Sequence, residues 1–291
     1  MFRGRNIHYE GSDRMRGLGA GGIGAMHLLA QRTGLTAAID ESLRLLKVHQ
    51  PYHESDHVLN IAYNILCGGR TLEDLEHLRH DEAYQDAIGA RVIPDPTTAG
   101  DFCRRPTELD LEALMAAIDG VRVKVWRQQP AAFFEEAIVE ADGTMAPTTG
   151  ECKEGMEISY HGVWGYHPLV VTLANTGEPL YLVNRSGNRP SHEGAAERFD
   201  QAIALCRQAG FGKILLRGDT DFSSTQHLDR WDEAGVRFLF GIDAMPNLVK
   251  LAAGLSGRAW KRLRRPAQYQ VKTEPRRRRD NIKEQVVVER G

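Results

Sequence analysis

The spacing of hydrophobic residues along the chain changes near Pro130. From Ile23 to about Trp126, apolar residues recur every three to four positions, a pattern typical of amphipathic helices. After Pro130 the apolar residues fall in short runs and alternating stretches bounded by glycine and polar clusters, which is typical of strands. The sequence therefore predicts a helical first half and a second half that mixes strands with helices.

Within the first half, residues 57–66 read as a buried helix that ends at Gly68-Gly69, because glycine readily adopts the conformation that closes a helix. A short amphipathic helix is predicted from Thr71. The Pro94–Thr98 segment predicts a turn, with Thr97 or Thr98 as the N-cap of the following helix. A last helix is expected from Leu109 to Trp126.

The second half predicts a defined order of elements. Three strands come first, then helix, strand, helix and strand, which is the ribonuclease-H-like topology. In that topology the first and fourth strands lie side by side in one sheet. The predicted bounds are 133–141 for the first strand, 156–184 for an antiparallel meander, 191–209 for a helix, 213–217 for the fourth strand, 223–234 for a helix and 236–243 for the last strand.

Composition places the chain among globular proteins, with 42% hydrophobic and 26% charged residues in a length of 291. No apolar run approaches the ~20 residues of a membrane span, so we expect no membrane partner. The first residues lack the apolar core of a signal peptide, which predicts a cytoplasmic location. Four scattered cysteines with no CxxC pair do not suggest a zinc knuckle.

The net charge of −2 hides an asymmetry between the two ends of the chain. Residues 258–291 hold 12 Lys and Arg against 4 Asp and Glu, whereas the rest of the chain is acidic overall. Such a basic segment suggests a polyanion partner, although it is also the pattern of a solvated arm. The candidate DNA-contacting residues are Arg258, Lys261, Arg262, Arg264, Arg265, Arg276, Arg277, Arg278 and Arg279.

Two motifs match known site patterns without the structural context that those sites need. Residues 19–24 satisfy GxGxxG, but no strand is predicted directly before them, as a dinucleotide site requires. Residues 53–57 satisfy HExxH, but Pro51 precedes them and Ser55 or Asp56 is the expected helix N-cap. His53 would then lie outside the helix, and the two histidines could not share one face.

The strongest candidate chemistry lies at the ends of the first and fourth predicted strands. Asp142 is followed by Gly143, and Asp219 is preceded by Gly218. Two carboxylates on neighbouring strands can share divalent cations and carry out phosphoryl transfer, and hard oxygen ligands suit Mg²⁺ or Mn²⁺. The alternative is that both are ordinary turn aspartates. Asp221 is a reserve candidate.

Longer strings of the sequence are similar to the DDE transposases of bacterial insertion sequences, in the transposase DDE domain group 1. The similarity extends over essentially the whole chain. The strings that carry it are Asp142-Gly143-Thr144, Thr148-Thr149-Gly150-Glu151-Cys152-Lys153, Tyr166-His167-Pro168, Asn184-Arg185-Ser186-Gly187-Asn188, Arg217-Gly218-Asp219 and the 93–102 segment with Ile93-Pro94-Asp95-Pro96.

The resemblance implies a helical DNA-binding region over 1–130, a ribonuclease-H-like catalytic core over 131–254 and the basic start of an insertion domain over 255–291. It also implies DNA strand cleavage and transfer with two Mg²⁺ or Mn²⁺ ions in the complete enzyme. Asp142 matches the first catalytic and metal-binding acid of the family, and Asp219 matches the second. The implied partners are terminal inverted repeats and target DNA, with a possible homodimer and a nucleoid-associated location.

The sequence departs from the family pattern in its third acid. The family's glutamate follows an inserted, mostly β segment, and the sequence printed here stops where that insertion would begin. We therefore expect a C-terminally truncated transposase with two of three acids and little activity alone. Two alternatives stay open, namely a catalytically dead DNA-binding protein that regulates transposition and a ribonuclease-H-like nuclease that recruits a local glutamate.

Overall fold

The computed structural model describes residues 17–150 and 153–262. Chain contacts divide the protein into two compact units, Met1–Ile242 and Asp243–Gly291. The described part of the second unit contains one helix, α10 (Pro246–Ala253), followed by a single 3₁₀ turn at Gly257–Ala259. The strand-like 285–289 run and the arginines between 264 and 279 lie outside the described residues.

The first half of the chain is helical, as the apolar spacing predicts. The residues that pack these helices together form one buried cluster, which includes Ile39, Leu59 and Tyr84. None of the helices within the described ranges is both long and apolar enough to span a bilayer. The helices are α1 (Ile23–Thr33), α2 (Leu35–Ser42), α3 (Glu54–Leu66), α4 (Leu75–Arg79), α5 (Glu82–Ile88), α6 (Pro96–Cys103) and α7 (Glu108–Trp126).

The starts of two helices differ from the predicted ones. Asp95, not Thr97 or Thr98, is the N-cap of α6, because its carboxylate accepts the Thr98 N–H at 3.0 Å while Pro96 occupies the first helical position. α3 begins at Glu54, two or three residues earlier than expected, and His53 stands outside the helix as its N-cap. That placement excludes the shared face that an HExxH zinc site needs.

Among the described residues between Pro130 and Ile242 there are eight strands and two further helices. The predicted first strand starts too early, because Ala131–Phe134 form a 3₁₀ turn and pairing begins at Ala137. The strands are β1 (Ala137–Gly143), β2 (Ala146–Pro147), β3 (Glu157–Ile158), β4 (Trp164–Tyr166), β5 (Leu169–Leu173), β6 (Glu178–Val183), β7 (Ile214–Gly218) and β8 (Arg237–Phe240), and the helices are α8 (Ala195–Ala209) and α9 (Leu228–Glu233).

Five strands form one mixed sheet in the order β6-β5-β1-β7-β8. β5 and β6 are antiparallel to their neighbours, whereas β7 and β8 run parallel to β1. The first and fourth strands of this sheet are therefore side by side, which confirms the predicted ribonuclease-H-like topology. The predicted meander is wrong in one respect, since β3 and β4 do not join the main sheet but pair with β2, which was not predicted, in a small second one.

One face of the main sheet carries the core of the second half. Val139, Leu173 and Leu216 are fully buried there, and they share one hydrophobic cluster with Phe199 of α8 and Trp126 at the end of α7. The opposite face is more open, and Leu182 and Leu239 are each more than 60% exposed. The more exposed face of the sheet is therefore the one that α8 does not cover.

A buried carboxylate organises the segment between α2 and α3. Glu54 is 1% exposed and accepts hydrogen bonds from the backbone N–H groups of Leu45 and Leu46, at 2.9 and 3.0 Å, while His49 Nε2 lies 3.2 Å away. Burial acts to raise the pKa of Glu54, but these hydrogen bonds outweigh it and the pKa lies below its ordinary value. The ionised Glu54 thus fixes the 44–50 segment.

A second polar network closes the C-terminal end of β1. The Nε and Nη1 atoms of Arg185 donate to the backbone carbonyls of His167, Pro190, Ser191 and Glu193. His167 Nδ1 lies 2.9 Å from the Arg189 carbonyl, which can only accept, so this nitrogen carries the proton. The fixed ring lies against Gly143, where a Cβ would be 2.7 Å from the ring.

Replacing Glu54 with glutamine should reduce the loss of stability in acid. Because the folded-state pKa of Glu54 is lowered, its stabilisation is present above the unfolded-state pKa and is lost as pH falls through the folded-state pKa. The unfolding free energy, measured by urea denaturation at pH 7 and at pH 3, should therefore fall further in the wild type than in Glu54→Gln. Equal losses in the two proteins would contradict the assignment.

Replacing Gly143 with alanine should destabilise the protein by about 1–3 kcal/mol, because the new methyl group overlaps the anchored His167 ring. Gly120→Ala is the matched control, since a Cβ at that position of α7 meets nothing within 4 Å. The control should stabilise the helix by about 0.5–1 kcal/mol. The unfolding free energies of both variants are measured by urea denaturation. A Gly143→Ala protein as stable as the wild type would show that the His167 ring is free to move.

Candidate active site

The candidate site is built on the pairing of β1 with β7. The two strands run parallel, with Ala137 opposite Ile214 and Glu140 opposite Arg217. Because parallel strands deliver their C-terminal ends to the same edge of a sheet, residues that follow this ladder on both strands emerge together. Those residues are Asp142 on β1 and Asp219 directly after β7.

Strand alternation decides which face the acids occupy. Ala137, Val139 and Ala141 are buried on the α8 side of β1, so Glu140 and Asp142 lie on the open side. On β7 the same alternation buries Ile214 and Leu216 and exposes Arg217. Asp219 is two residues beyond Arg217 and is exposed as well.

The structure brings both predicted aspartates to one cleft. The cleft has a volume of about 440 Å³ and lies across β1, β5 and β7. Val170, which pairs with Asp142 across the antiparallel ladder, forms one wall. Hydroxyl groups come from Thr144 and Thr172. The arrangement is an open groove on the sheet that carries carboxylate and hydroxyl groups.

Glu140 and Arg217 form an ion pair at one end of this cleft. Their side chains are 37% and 45% exposed, so the pair adds little to stability. Its electrostatic effect is local, because Arg217 neutralises Glu140 and leaves Asp142 and Asp219 as the cleft's uncompensated charges. Neither aspartate forms an ion pair with any of the described residues.

Asp219 also shapes the backbone that follows it. One of its carboxylate oxygens accepts the N–H of Asp221 at 2.9 Å and caps the short 3₁₀ turn at Thr220–Phe222. Asp219 is therefore the N-cap of this turn. Capping uses one oxygen of Asp219 and holds its side chain in place, with the second oxygen free of any described partner.

The donor set of the cleft suits a hard divalent cation. Asp142 and Asp219 offer exposed carboxylate oxygens, the ligands that Mg²⁺ and Mn²⁺ prefer. The residues described by the structure contain no cluster of three or more His, Cys, Asp or Glu with a metal-binding arrangement. The two aspartates therefore fit as part of a metal site, with further ligands left to water, substrate or other residues.

The predicted basic residues lie apart from this cleft in the chain. Arg258, Lys261 and Arg262 belong to the second unit and are exposed. The remaining arginines of that prediction lie outside the described residues: Arg264, Arg265, Arg276, Arg277, Arg278 and Arg279.

Sequence reasoning missed Glu140 and Arg217 as members of the site. Each precedes one of the aspartates by two residues, which is the side-chain period of a strand. That spacing was the available signal that they share a face with the acids. The pairing between them follows from the β1–β7 register, which the sequence alone does not fix.

Comparisons with known proteins add the following. Solved structures similar to this chain include a piggyBac transposase synaptic complex with hairpin DNA, at 12% identity and a TM-score of 0.37, which covers 76% of this chain and 49% of that one. Another is the Mos1 strand transfer complex, at 10% identity and a TM-score of 0.23, with 73% and 66% covered. The chain thus spans about half the length of the piggyBac protein. No curated protein matches it.

The match to a family model covers more of the sequence than the matches to solved structures do. The sequence model for the transposase DDE domain group 1 matches residues 18–283, which include both halves of the chain and both strand-end aspartates. The chain therefore belongs to the group 1 family of DDE transposase domains.

Proposed function

We propose that this protein acts in DNA transposition and that the cleft between β1 and β7 is where DNA strands are cleaved and joined. The observation that carries the proposal is the meeting of Asp142 and Asp219 in one cleft, in a chain that belongs to a transposase family. Family membership supports a DNA partner. We further propose that this DNA comprises the terminal inverted repeats and the target, that the protein works as a homodimer and that it is nucleoid-associated.

Asp142 and Asp219 would hold the divalent ions, Mg²⁺ or Mn²⁺, in this proposal. When bound, two such ions activate the attacking oxygen and stabilise the leaving oxygen of a phosphodiester. The chain itself contributes the positions of the two carboxylates. Asp142 is fixed by the β1–β5 ladder and Asp219 by its cap on the Asp221 N–H, so both carboxylates are held ready before substrate arrives.

The surroundings of the two acids favour a polyanionic strand over a small apolar substrate. Thr144 and Thr172 line the cleft with hydroxyl groups that can donate to phosphate oxygens. Gly218 lines the cleft without adding a side chain, and the neighbouring Arg217 cation is paired with Glu140. A phosphodiester can approach such a groove closely once its charge is balanced.

The small number of carboxylates in the cleft supports a second candidate function. Its acids are Asp142, Asp219 and Glu140, and Arg217 already engages Glu140. With two free carboxylates, the described residues suit a DNA-binding regulator of transposition that lacks strand cleavage. A ribonuclease-H-like nuclease would instead need Glu140 or another local glutamate to act as the third ligand.

Replacing Asp142 or Asp219 with asparagine should reduce Mg²⁺- or Mn²⁺-dependent nicking of supercoiled DNA by about a hundredfold or more. The reason is that metal-based charge stabilisation contributes several kcal/mol to such reactions, and each 1.4 kcal/mol is a factor of ten. Asp221→Asn is the matched control, because Asp221 is equally exposed and two residues away. Its nicking rate should stay within about twofold of the wild type.

The outcomes of this experiment separate the candidates. Nicking that survives both aspartate substitutions would overturn the assignment of the cleft. Binding without nicking in the wild type would favour the regulator. Nicking lost in Asp142→Asn, Asp219→Asn and Glu140→Gln alike would favour the nuclease. If the wild type fails to bind DNA even at low salt, all three functions are wrong.

A further inference from the structure

We propose that a separate pocket, in the helical half of the protein, binds a free nucleotide, that is, a nucleobase carried on a sugar with a phosphate. This α1–α3 pocket lies between α1, α3 and the 88–94 segment, and its volume is about 530 Å³. Small ligands and cofactors occupy pockets of about 300–1,000 Å³. The inference goes beyond the proposed function, because it needs neither DNA nor the cleft that holds Asp142 and Asp219.

Two buried polar atoms at the α1–α3 pocket have no partner. They are the side-chain oxygen of Asn60 and the hydroxyl of Thr36, and neither forms a hydrogen bond with any of the described residues. Asn60 is 5% exposed, and its amide nitrogen reaches the Pro94 carbonyl at 3.4 Å, so its oxygen is the atom left over. Because buried polar atoms are nearly always paired, two orphans at one pocket indicate an occupant that supplies their partners.

A third polar atom at the pocket has a proton to give. The Gln31 amide nitrogen lies 2.9 Å from His27 Nε2 and can only donate, so His27 Nδ1 carries the imidazole proton. Nδ1 then donates to the Tyr63 hydroxyl oxygen at 3.1 Å. The hydroxyl oxygen of Tyr63 is thereby used as an acceptor, and its own proton is left for a ligand. Tyr63 lines the pocket and is 5% exposed.

The three polar groups match the edge of a nucleobase. Asn60 and Tyr63 are three residues apart on α3 and share one of its faces, where Asn60 offers an acceptor and Tyr63 a donor. The Thr36 hydroxyl can do either. Nucleobases carry N–H donors next to nitrogen or carbonyl acceptors on one flat edge. Since more than one base has such an edge, the proposal concerns nucleotides as a class.

The remaining wall of the α1–α3 pocket suits a flat ring. Leu59 and Ile93 are buried, and Ile88, Pro94 and the half-buried Tyr52 line the pocket with them. An apolar wall with a few convergent polar groups is the usual composition of a small-molecule site. Aromatic and apolar side chains of this kind pack against the faces of a base, while the polar groups meet its edge.

The rim of the pocket carries one charge of each sign. Arg91 is exposed and forms no ion pair with the residues that the structure describes. Asp56 is also exposed, and one of its oxygens accepts the His53 N–H at 2.8 Å. An arginine suits a phosphate, and a carboxylate accepts from sugar hydroxyls. The rim thus matches the two polar parts of a nucleotide, whereas its acid disfavours a polyanionic strand.

The test measures ligand binding and stability in the full chain, with AMP, GMP, CMP and UMP as probes. At least one of them should raise the melting temperature of the wild type and give a Kd by isothermal titration calorimetry. Thr36→Val removes the unpartnered hydroxyl and keeps the shape of the side chain, so affinity for that nucleotide should fall about tenfold. Without ligand, this variant should melt no lower than the wild type, because its hydroxyl has no bond to lose.

Two further variants make the result specific. Thr33→Val is the matched control, because the Thr33 hydroxyl donates to the Leu29 carbonyl of its own helix at 2.9 Å and does not line the pocket. Its affinity should stay within about twofold of the wild type. Arg91→Gln changes an exposed side chain and tests the site even if Thr36→Val fails to fold. It should weaken the nucleotide about tenfold and leave the matching nucleoside unaffected.

Four results would contradict the proposal. They are a wild type that binds none of the four nucleotides, wild-type affinity in folded Thr36→Val or Arg91→Gln, an equal rise in melting temperature with inorganic phosphate alone, and nucleotide binding that duplex DNA displaces or that Asp142→Asn abolishes. The last result would place the nucleotide in the DNA-processing cleft instead. Nicking by Thr36→Val should equal that of the wild type, so failure of this site and failure of the proposed function are separately visible.

Discussion

The parallel pairing of β1 with β7 is the constraint on which the rest of the site depends. It is the contact that joins the antiparallel β1–β5–β6 part of the sheet to the strands that come after α8. Its register sets Glu140 beside Arg217 and carries both aspartates to the same edge and the same face. A shift of one residue would turn each acid into the α8-facing core, so the hydrophobic alternation that fixes the register also fixes the site.

At the end of β1, the two faces of the sheet carry different groups. On the open face, Asp142 stays exposed beside the groove. On the opposite face, the side-chain direction of Gly143 is filled by the His167 ring, which Arg185 and the Arg189 carbonyl hold through backbone contacts. The end of β1 is thus held from the face opposite Asp142. Asp142 itself takes part in none of these side-chain contacts.

Much of this was predictable from sequence, because the decisive signals are local. The change of apolar period near Pro130 gave the division into a helical half and a mixed half, and strand alternation with strand-end glycines pointed to Asp142 and Asp219. What failed was governed by contacts distant in sequence. The 3₁₀ turn at Ala131–Phe134 exists because Phe133 and Phe134 pack on Phe211, some 80 residues away, and this tertiary contact overrides an apolar run that reads as strand.

The cleft between the 44–50 segment and α6, about 840 Å³ in volume, shows the same limit of sequence-based prediction. Its members come from the 44–50 segment, α3, α6 and Arg105, and no periodicity relates them. The sequence drew attention to His53–His57 only as a zinc motif, and its helix-start argument correctly removed that hypothesis. It could not show that Glu54 would turn inward to anchor a loop, because that role depends on the Leu45 and Leu46 N–H groups that only the fold brings within reach.

The long helix α7 links the helical half to the sheet. Its middle packs on the helical cluster through Leu114, and its end enters the sheet cluster through Val123 and Trp126. Polar contacts reinforce the second attachment, since the Trp126 indole N–H donates to Glu178 at 3.0 Å and the Tyr181 hydroxyl donates to Asp119 at 2.9 Å.

These contacts are shielded from water and so are worth more than surface pairs. Arg122, 9% exposed, bonds both Asp119 and Glu178, and burial raises the pKa of Asp119 despite the hydrogen bond from Tyr181 and the charge of Arg122. Removing one partner of such a shielded set costs about 3–5 kcal/mol, whereas an exposed pair contributes at most about 1 kcal/mol. The helical half is therefore held rigidly on the sheet.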